Sequence, residues 1–360
     1  MIRWRKGTVA AVRREWPGAI ELDTAVDGEG TCRALAYPAL VGRPEPGDTV
    51  LLNTTALAMG LGTGGYAMVV AVPDRLPPDP TGPGHLVKAR YTPLQATVLG
   101  ADEQDSPHHP ALADADSLTG MPVIVADLHS ALPPILAGLL AARPGTRVVY
   151  VMPDGGALPA WFSMSIAQLT AAGALAATVT VGQAFGGDLE TVTVHTGLLA
   201  ARHVLDAEAV ILAQGPGNLG TGTRWGFSGV AAGEAVNAAA VLSGRPVASL
   251  RISEGDLRER HIGVSHHSLT AYGRVALAPA DVVVPELTGE FGARVREQAR
   301  PLGERHRLVS TPVTGLADTL QTAERDWGVR LSTMGRRLDR DLAYFLAAAA
   351  AGRHAAALLG

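Results

Sequence analysis

Short apolar runs that end on polar groups recur through the later two-thirds of this chain, and they restrict its fold more than any other feature. Val123 to Ala126 leads into Asp127 and His129, Val148 to Met152 into Asp154, Val192 to Val194 into His195, Val210 to Ala213 into a glycine loop, and Val247 to Ile252 into Glu254. Runs such as Val123 to Ala126, Val148 to Met152 and Val210 to Ala213 have strand length and lack the alternation of a half-exposed strand, as a parallel strand covered on both faces requires. Helix-length stretches separate them, at Leu132 to Ala142, Ser165 to Ala172, Gly197 to Leu205 and Gly229 to Leu242. This alternation predicts βαβ units with right-handed crossovers, hence an α/β domain with a doubly wound, mostly parallel sheet, Rossmann-like or flavodoxin-like. Further strands are expected at Arg274 to Leu277, Asp281 to Val284 and Leu308 to Ser310. The tail from Met334 to Leu359 is Ala-rich and helical by propensity. It is expected to pack on the sheet or on a second copy of the chain, which leaves a homo-oligomer open.

The first part of the chain reads differently. Strand-like runs at Trp4 to Val12, Ala19 to Thr24, Cys32 to Tyr37, Val50 to Asn53 and Tyr66 to Val72 are separated by WPG, DGEG, RPEPGD and GLGTGG. Short strands joined by glycine turns predict a small antiparallel β-barrel or sandwich. Residues 73–84, PDRLPPDPTGPG, continue neither a helix nor a central strand and read as a linker. The expected division is therefore a barrel over 1–84 and the α/β domain over 85–360, with a strand or pair of strands at His85 to Leu99.

Composition narrows the function. With 47% hydrophobic and 18% charged residues the chain is globular, and a net charge of −4 argues against nucleic acid or an anionic membrane as the main partner. Lys6 and Lys88 are the only lysines and neither lies in a Gly-Lys-Ser/Thr loop, so P-loop phosphoryl transfer is excluded. Cys32 is the only cysteine, which excludes an internal disulfide and a cysteine-rich zinc site. Arg13, Arg14 and Glu15 interrupt the apolar stretch a signal peptide needs, and no apolar run reaches the ~20 residues of a membrane span. A cytoplasmic protein is expected.

In an open parallel sheet the carboxyl ends of the strands form the ligand crevice, so the groups that follow the runs are the candidate site. Gly215, Gly217 and Gly220 follow the strand AVILAQ as G-x-G-x-x-G, and Gly222 and Arg224 extend the loop toward a helix. Glycines let backbone amides approach a phosphate, and Arg224 adds a forked cation, so this loop is the candidate anion cradle. It departs from a dinucleotide fingerprint, because some seven residues separate its third glycine from the helix, Glu234 at about the expected spacing falls in mid-helix, and Glu254 at a strand end comes later than usual. A glycine-rich connector without a ligand is the competing reading, and no cofactor is assigned.

The segment Glu254 to Ser268 gathers Glu254, Asp256, Arg258, Arg260, His261, His266 and His267 just beyond a strand. His266 or His267 is the candidate proton carrier, with Asp127 and His129 assisting, since residues two apart in a strand share a face. Glu254 and Asp256 are candidate ligand contacts. The competing reading is a solvated loop whose histidines cap backbone groups. His261, His266 and His267 supply nitrogen ligands, but their spacing is neither HExxH nor an i, i+4 pair, so no metal ligands are assigned. Nucleophilic catalysis lacks a G-x-S-x-G elbow, and the pair His108 and His109 reads as a surface turn.

The runs LLNTTALAMGLGTGGYAMVVA, GHLVKARYTPLQ, GPGNLGTGTRWGFSGVAAGEAVNAAA and RERHIGVSHHSLTAYG resemble those of a bacterial family catalogued as domain of unknown function 3866. The resemblance spans nearly the whole chain and implies a two-part protein, but no activity and no catalytic residues. From the residues themselves, the expectation is an enzyme acting on a small anionic or nucleotide-like substrate. The alternative is a non-catalytic sensor or binding module using the same loop.

Overall fold

The glycine turns at 17–18 and 27–30 reverse the chain between strands that close on themselves. The computed structural model describes residues 1–360, in two units, Met1–Leu99 and Gly100–Gly360. In the first, β1 (Trp4–Trp16), β2 (Ala19–Val26), β3 (Gly30–Ala36), β4 (Thr49–Asn53) and β5 (Tyr66–Ala71) form a closed barrel in the order β1-β2-β3-β5-β4. Most neighbours run antiparallel, while β3 and β5 are parallel. Val9, Ile20, Leu22, Val50, Leu52 and Val69 fill its interior, and closure leaves no unpaired edge. Residues 73–84 contain no helix or strand. Beyond them β6 (Leu86–Lys88) and β7 (Ala96–Val98) pair as a hairpin that belongs to the first unit, which therefore extends to Leu99.

The second unit is built on an eight-stranded sheet. Its strands are β8 (Pro122–Ala126), β9 (Val148–Met152), β10 (Ala177–Val181), β11 (Leu189–Thr191), β12 (Ala209–Ala213), β13 (Arg245–Ser249), β16 (Asp281–Pro285) and β17 (Arg307–Thr311). They lie in the order β11-β10-β9-β12-β8-β13-β16-β17, and every ladder is parallel. Two short pairs, β14 (Ile252–Ser253) with β15 (Gly263–Val264) and β18 (Ser332–Thr333) with β19 (Arg336–Arg337), are antiparallel.

Alternate strand residues feed two separate cores. Val123, Val125, Val149, Val151, Val210 and Leu212 pack under the helices Val194–His203 and Ala231–Val241. Ile124, Val148, Tyr150, Met152, Ile211 and Ala213 pack under the helices Leu132–Ala142, Leu316–Trp327 and Leu342–Ala357. The helix after β8 thus covers one face and the helix after β12 the other, although β8 and β12 are neighbours in the sheet. The crevice between their carboxyl ends is where such a topology binds ligands.

Three expected elements differ. β11 stops at Thr191, because Thr193 caps the Val194–His203 helix by accepting from the Thr196 amide, so His195 is helical and exposed. Arg274 to Leu277 is not a strand: Ala271–Val275 is a π-helical turn that drives Tyr272 into the core, where its hydroxyl donates to the carbonyls of Val125 and Ser249. The tail becomes helical only from Leu342, after the β18–β19 hairpin.

That helix is buried along nearly its whole length and packs within its own chain against Leu132–Ala142. Two glycines make the approach close enough. A Cβ on Gly352 would lie 1.9 Å from the Ile135 carbonyl oxygen, and one on Gly138 would lie 1.9 Å from that of Ala349. No helix of the protein is long and apolar enough to cross a membrane. Alanine for glycine at an open helical position gains about 1 kcal/mol. Here Gly352→Ala is expected to lose about 1–3 kcal/mol through overpacking, read as a lower denaturation midpoint at unchanged slope.

Candidate functional site

Strands buried on both faces give a side chain access to a cleft only at their ends. β8 ends into Asp127, β12 into Gln214, and β13 is followed by Leu250 and Arg251. All three polar residues are buried. Gln214 Nε2 donates to the Asp127 carbonyl (2.7 Å) and to Asn218 Oδ1 (3.0 Å), and a narrow cavity lined by Asp127, Pro153, Gln214 and Ser228 adjoins them.

The short β14–β15 pair folds the segment after Arg251 back on itself and so returns Ser265 to Arg251. The Ser265 amide donates to the Arg251 carbonyl (2.8 Å), and the Arg251 amide donates to Ser268 Oγ (2.9 Å). Ser265 caps the helix His266–Thr270, its Oγ accepting from the His267 amide, and the same oxygen lies 2.7 Å from His261 Nδ1. One serine therefore fixes both the start of the helix and the orientation of the His261 ring.

Three imidazoles meet here. Ring centroids are 4.4 Å apart for His266 and His267, and 4.9 Å from His261 to each. Phe227 stacks flat on His267 at 3.8 Å. His267 Nδ1 accepts from Arg251 Nη1 (3.3 Å) and stands 3.9 Å from Asp127 Oδ2. Burial, followed by the charge of Arg251, pushes His261 and His267 each down to about 3. His266 is lowered by burial and then by Arg260 and Arg251. The rings are neutral at physiological pH. Burial raises the Asp127 carboxyl, with Arg251 opposing it.

His266, His267 and Asp127 thus come together as a cluster, while His129 does not join them. β8 ends at Ala126 and His129 opens a 3₁₀ turn, so the two-residue strand period that was to align it with Asp127 does not apply. Its ring is buried instead against Tyr150 OH (Nδ1, 3.1 Å) and Ser163 Oγ (Nε2, 2.7 Å), and burial lowers it to about 4.

The glycine loop turns back on itself before the helix begins. Gly220 bridges to Phe227, and the amides of Leu219, Thr221, Gly226 and Phe227 donate to Ser228 Oγ, the Gly226 carbonyl, Thr223 Oγ1 and the Trp225 carbonyl. A Cβ at Gly215 would meet Met152 Sδ at 2.8 Å, so close packing on β9 accounts for that glycine. Gly217 and Gly222 have positive φ of 148° and 80°, which turn the chain. Arg224 is exposed, near enough to add to the charges lowering His266. The loop brings Phe227 to the cluster.

Asp256 is an ion-network member. Its Oδ1 accepts from Arg258 N and Nε (3.0 and 2.9 Å), and its Oδ2 from Arg258 Nη2 (2.9 Å) and Arg336 Nη2 (3.1 Å), with Arg251 Nη2 at 3.5 Å. Arg336 in turn reaches the buried Asp341, which also accepts from Ser253 Oγ (2.7 Å) and the Glu254 amide (3.1 Å). The Glu254 side chain is exposed. Burial raises the Asp256 carboxyl, but the hydrogen bonds and charge of Arg258 and the charge of Arg336 outweigh it and hold it well below the carboxylate range.

Arg251, Gln214 and Phe227 were not singled out by sequence reasoning. Arg251 carried a signal: an arginine inside the apolar run Val247 to Ile252 is costly unless it is paired. Asp256→Asn leaves that buried cation short of countercharge and is expected to cost about 3–5 kcal/mol by chemical denaturation. Because the folded carboxyl is depressed, its contribution is complete above the unfolded value of about 4 and is lost as the pH falls below it, so the variant is expected to show a shallower acid loss of stability than the wild type.

No curated protein and no solved structure matches this chain. A family model does, over residues 33–352, and on that match the chain belongs to the family described as protein of unknown function (DUF3866).

Proposed function

We propose that this protein is an enzyme acting on a small anionic substrate bound at the carboxyl ends of β8, β12 and β13. The observation that carries this reading is a set of buried polar atoms without hydrogen-bond partners: Asp127 Oδ2, Gln214 Oε1, Arg251 Nη2, His261 Nε2 and His266 Nε2. Each such atom costs about 1–3 kcal/mol when left unpaired, and a folded protein keeps few of them. Asp127, Arg251 and the histidines gather at a topological switch point, with Gln214 at the neighbouring strand end, and fit a pocket whose partner is a ligand.

Charge sets the ligand class. Arg251 is always cationic, and the cluster also lies in the field of Arg258, Arg260 and Arg224. Arg251 meets the substrate's negative charge, and the glycine loop, which carries Arg224, stands beside the same cluster. Asp127, facing His267, moves the proton, because Arg251 already occupies His267 Nδ1. A lone half-buried thiol, Cys32, and the lack of a membrane-spanning helix accord with a cytoplasmic enzyme.

A thermal-shift screen of inorganic phosphate, nucleoside monophosphates and short carboxylates, followed by product analysis, tests this reading. A ligand at ~100 times its Kd is expected to raise Tm by about 5–10 °C in the wild type and far less in Arg251→Met. Asp127→Asn is expected to bind the same ligand and lose at least about 100-fold in turnover. Equal binding by Arg251→Met would place the anion elsewhere, and a ligand recovered unchanged from the wild type would make the protein a binding module.

A further inference from the structure

Acid–base work at this site leaves the three histidines unexplained. His261, His266 and His267 each offer one ring nitrogen, and these nitrogens lie within 4.8 Å of one another. His261 is fully buried, and its Nε2 and that of His266 have no partner. Three imidazoles in a polar pocket pack poorly as mere core, since two of them carry a nitrogen that burial without a partner penalises. One small cation would satisfy them together.

We propose that His261, His266 and His267 hold a first-row divalent cation, zinc by the chemistry of the donors. Zinc takes imidazole nitrogen at about 2.0–2.1 Å, and three protein nitrogens leave the fourth tetrahedral position to water or a substrate oxygen. Ligand nitrogens in such a site stand ~3.3 Å apart, so binding draws the ring tips together by roughly 1.5 Å. The surroundings already resemble the outer shell of a metal site. Ser265 Oγ accepts from His261 Nδ1–H in the tautomer that frees Nε2, and Asp127 Oδ2 stands 3.9 Å from His267 Nδ1 as the carboxylate that orients a metal-bound imidazole. When His267 turns its Nδ1–H to Asp127, Arg251 Nη1 is released from that nitrogen and becomes available to an anion.

This inference rests on the anionic-substrate reading, which explains why a cation sits among arginines. Alone it is repelled by Arg251 and Arg258; with an oxyanion on its open position the charges balance, so metal and anion strengthen each other's binding.

The test strips the full-length protein with a chelator and titrates it with Zn²⁺ by calorimetry and with Co²⁺ by visible absorption, with and without inorganic phosphate. The expected result is one ion per chain, the intense visible bands of a low-coordinate Co²⁺ site, and tighter binding when phosphate is present. His261→Ala, His266→Ala and His267→Ala are each expected to lose more than about 100-fold in affinity. His129→Gln, buried outside the cluster, is expected to bind as the wild type does. His266→Gln guards against misfolding, because its ring is only partly buried; lost binding at an unchanged Tm supports ligation. Failure of the wild type to bind one ion, a pale aqua-like Co²⁺ spectrum, or wild-type affinity in the three alanine variants overturns the proposal. Phosphate stabilisation of the metal-free protein that depends on Arg251 would leave the pocket reading standing while the metal fails. A bound metal with no phosphate effect would do the reverse.

Discussion

Burial of the parallel sheet on both faces is the constraint from which the rest of this protein follows. Every residue of β8, β9, β10 and β12 is buried, and in β8, β9 and β12 successive side chains enter two different cores. A polar group buried along such strands is costly without a partner, so their carboxyl ends are the favoured place for polar chemistry. There the helices after β8 and β12 part to opposite faces and leave a gap. Asp127, Gln214 and Arg251 occupy that gap because the chain there has just left the ladder while remaining inside the molecule.

Holding Arg251 in that position takes a second arrangement. A buried guanidinium is tolerated only with countercharge and hydrogen bonds. Asp256 supplies the countercharge while Arg258, Arg336 and Asp341 tie the surrounding segments to one another. The network leaves one side of the guanidinium turned to His267 and Asp127. Structural ion pairs and the candidate site therefore share a residue, and the rigidity of one sets the geometry of the other.

The histidine cluster shows how local devices produce a long-range result. β14 and β15 are only two residues each, yet their pairing closes the loop 254–262 and places His261 beside the helix that carries His266 and His267. Ser265 caps that helix and meets His261, and Phe227 arrives from the glycine loop to cover His267. The folded-back segment 252–270 and the glycine loop that precedes it in the chain converge, each for an ordinary reason of turn, cap or stacking.

Much of the fold was legible in the residues. Runs such as Val148 to Met152 are apolar without alternation, which only a doubly covered strand explains, and the glycine turns of the first ninety-nine residues pace out a small barrel. The composition of Glu254 to Ser268 also singled that segment out, and its three histidines do come together. The side-chain partnerships were not. Asp127 and His129 stand two apart and were expected on one face, but the strand ends between Ala126 and Asp127 and the period ends with it. The three arginines around Asp256 and the internal turn of the glycine loop between Leu219 and Ser228 were equally invisible in the sequence. Hydrophobic periodicity is a local property and is written in the chain itself. Which polar groups stay unpaired depends on where turns end and which distant segments meet, and only the tertiary structure decides that.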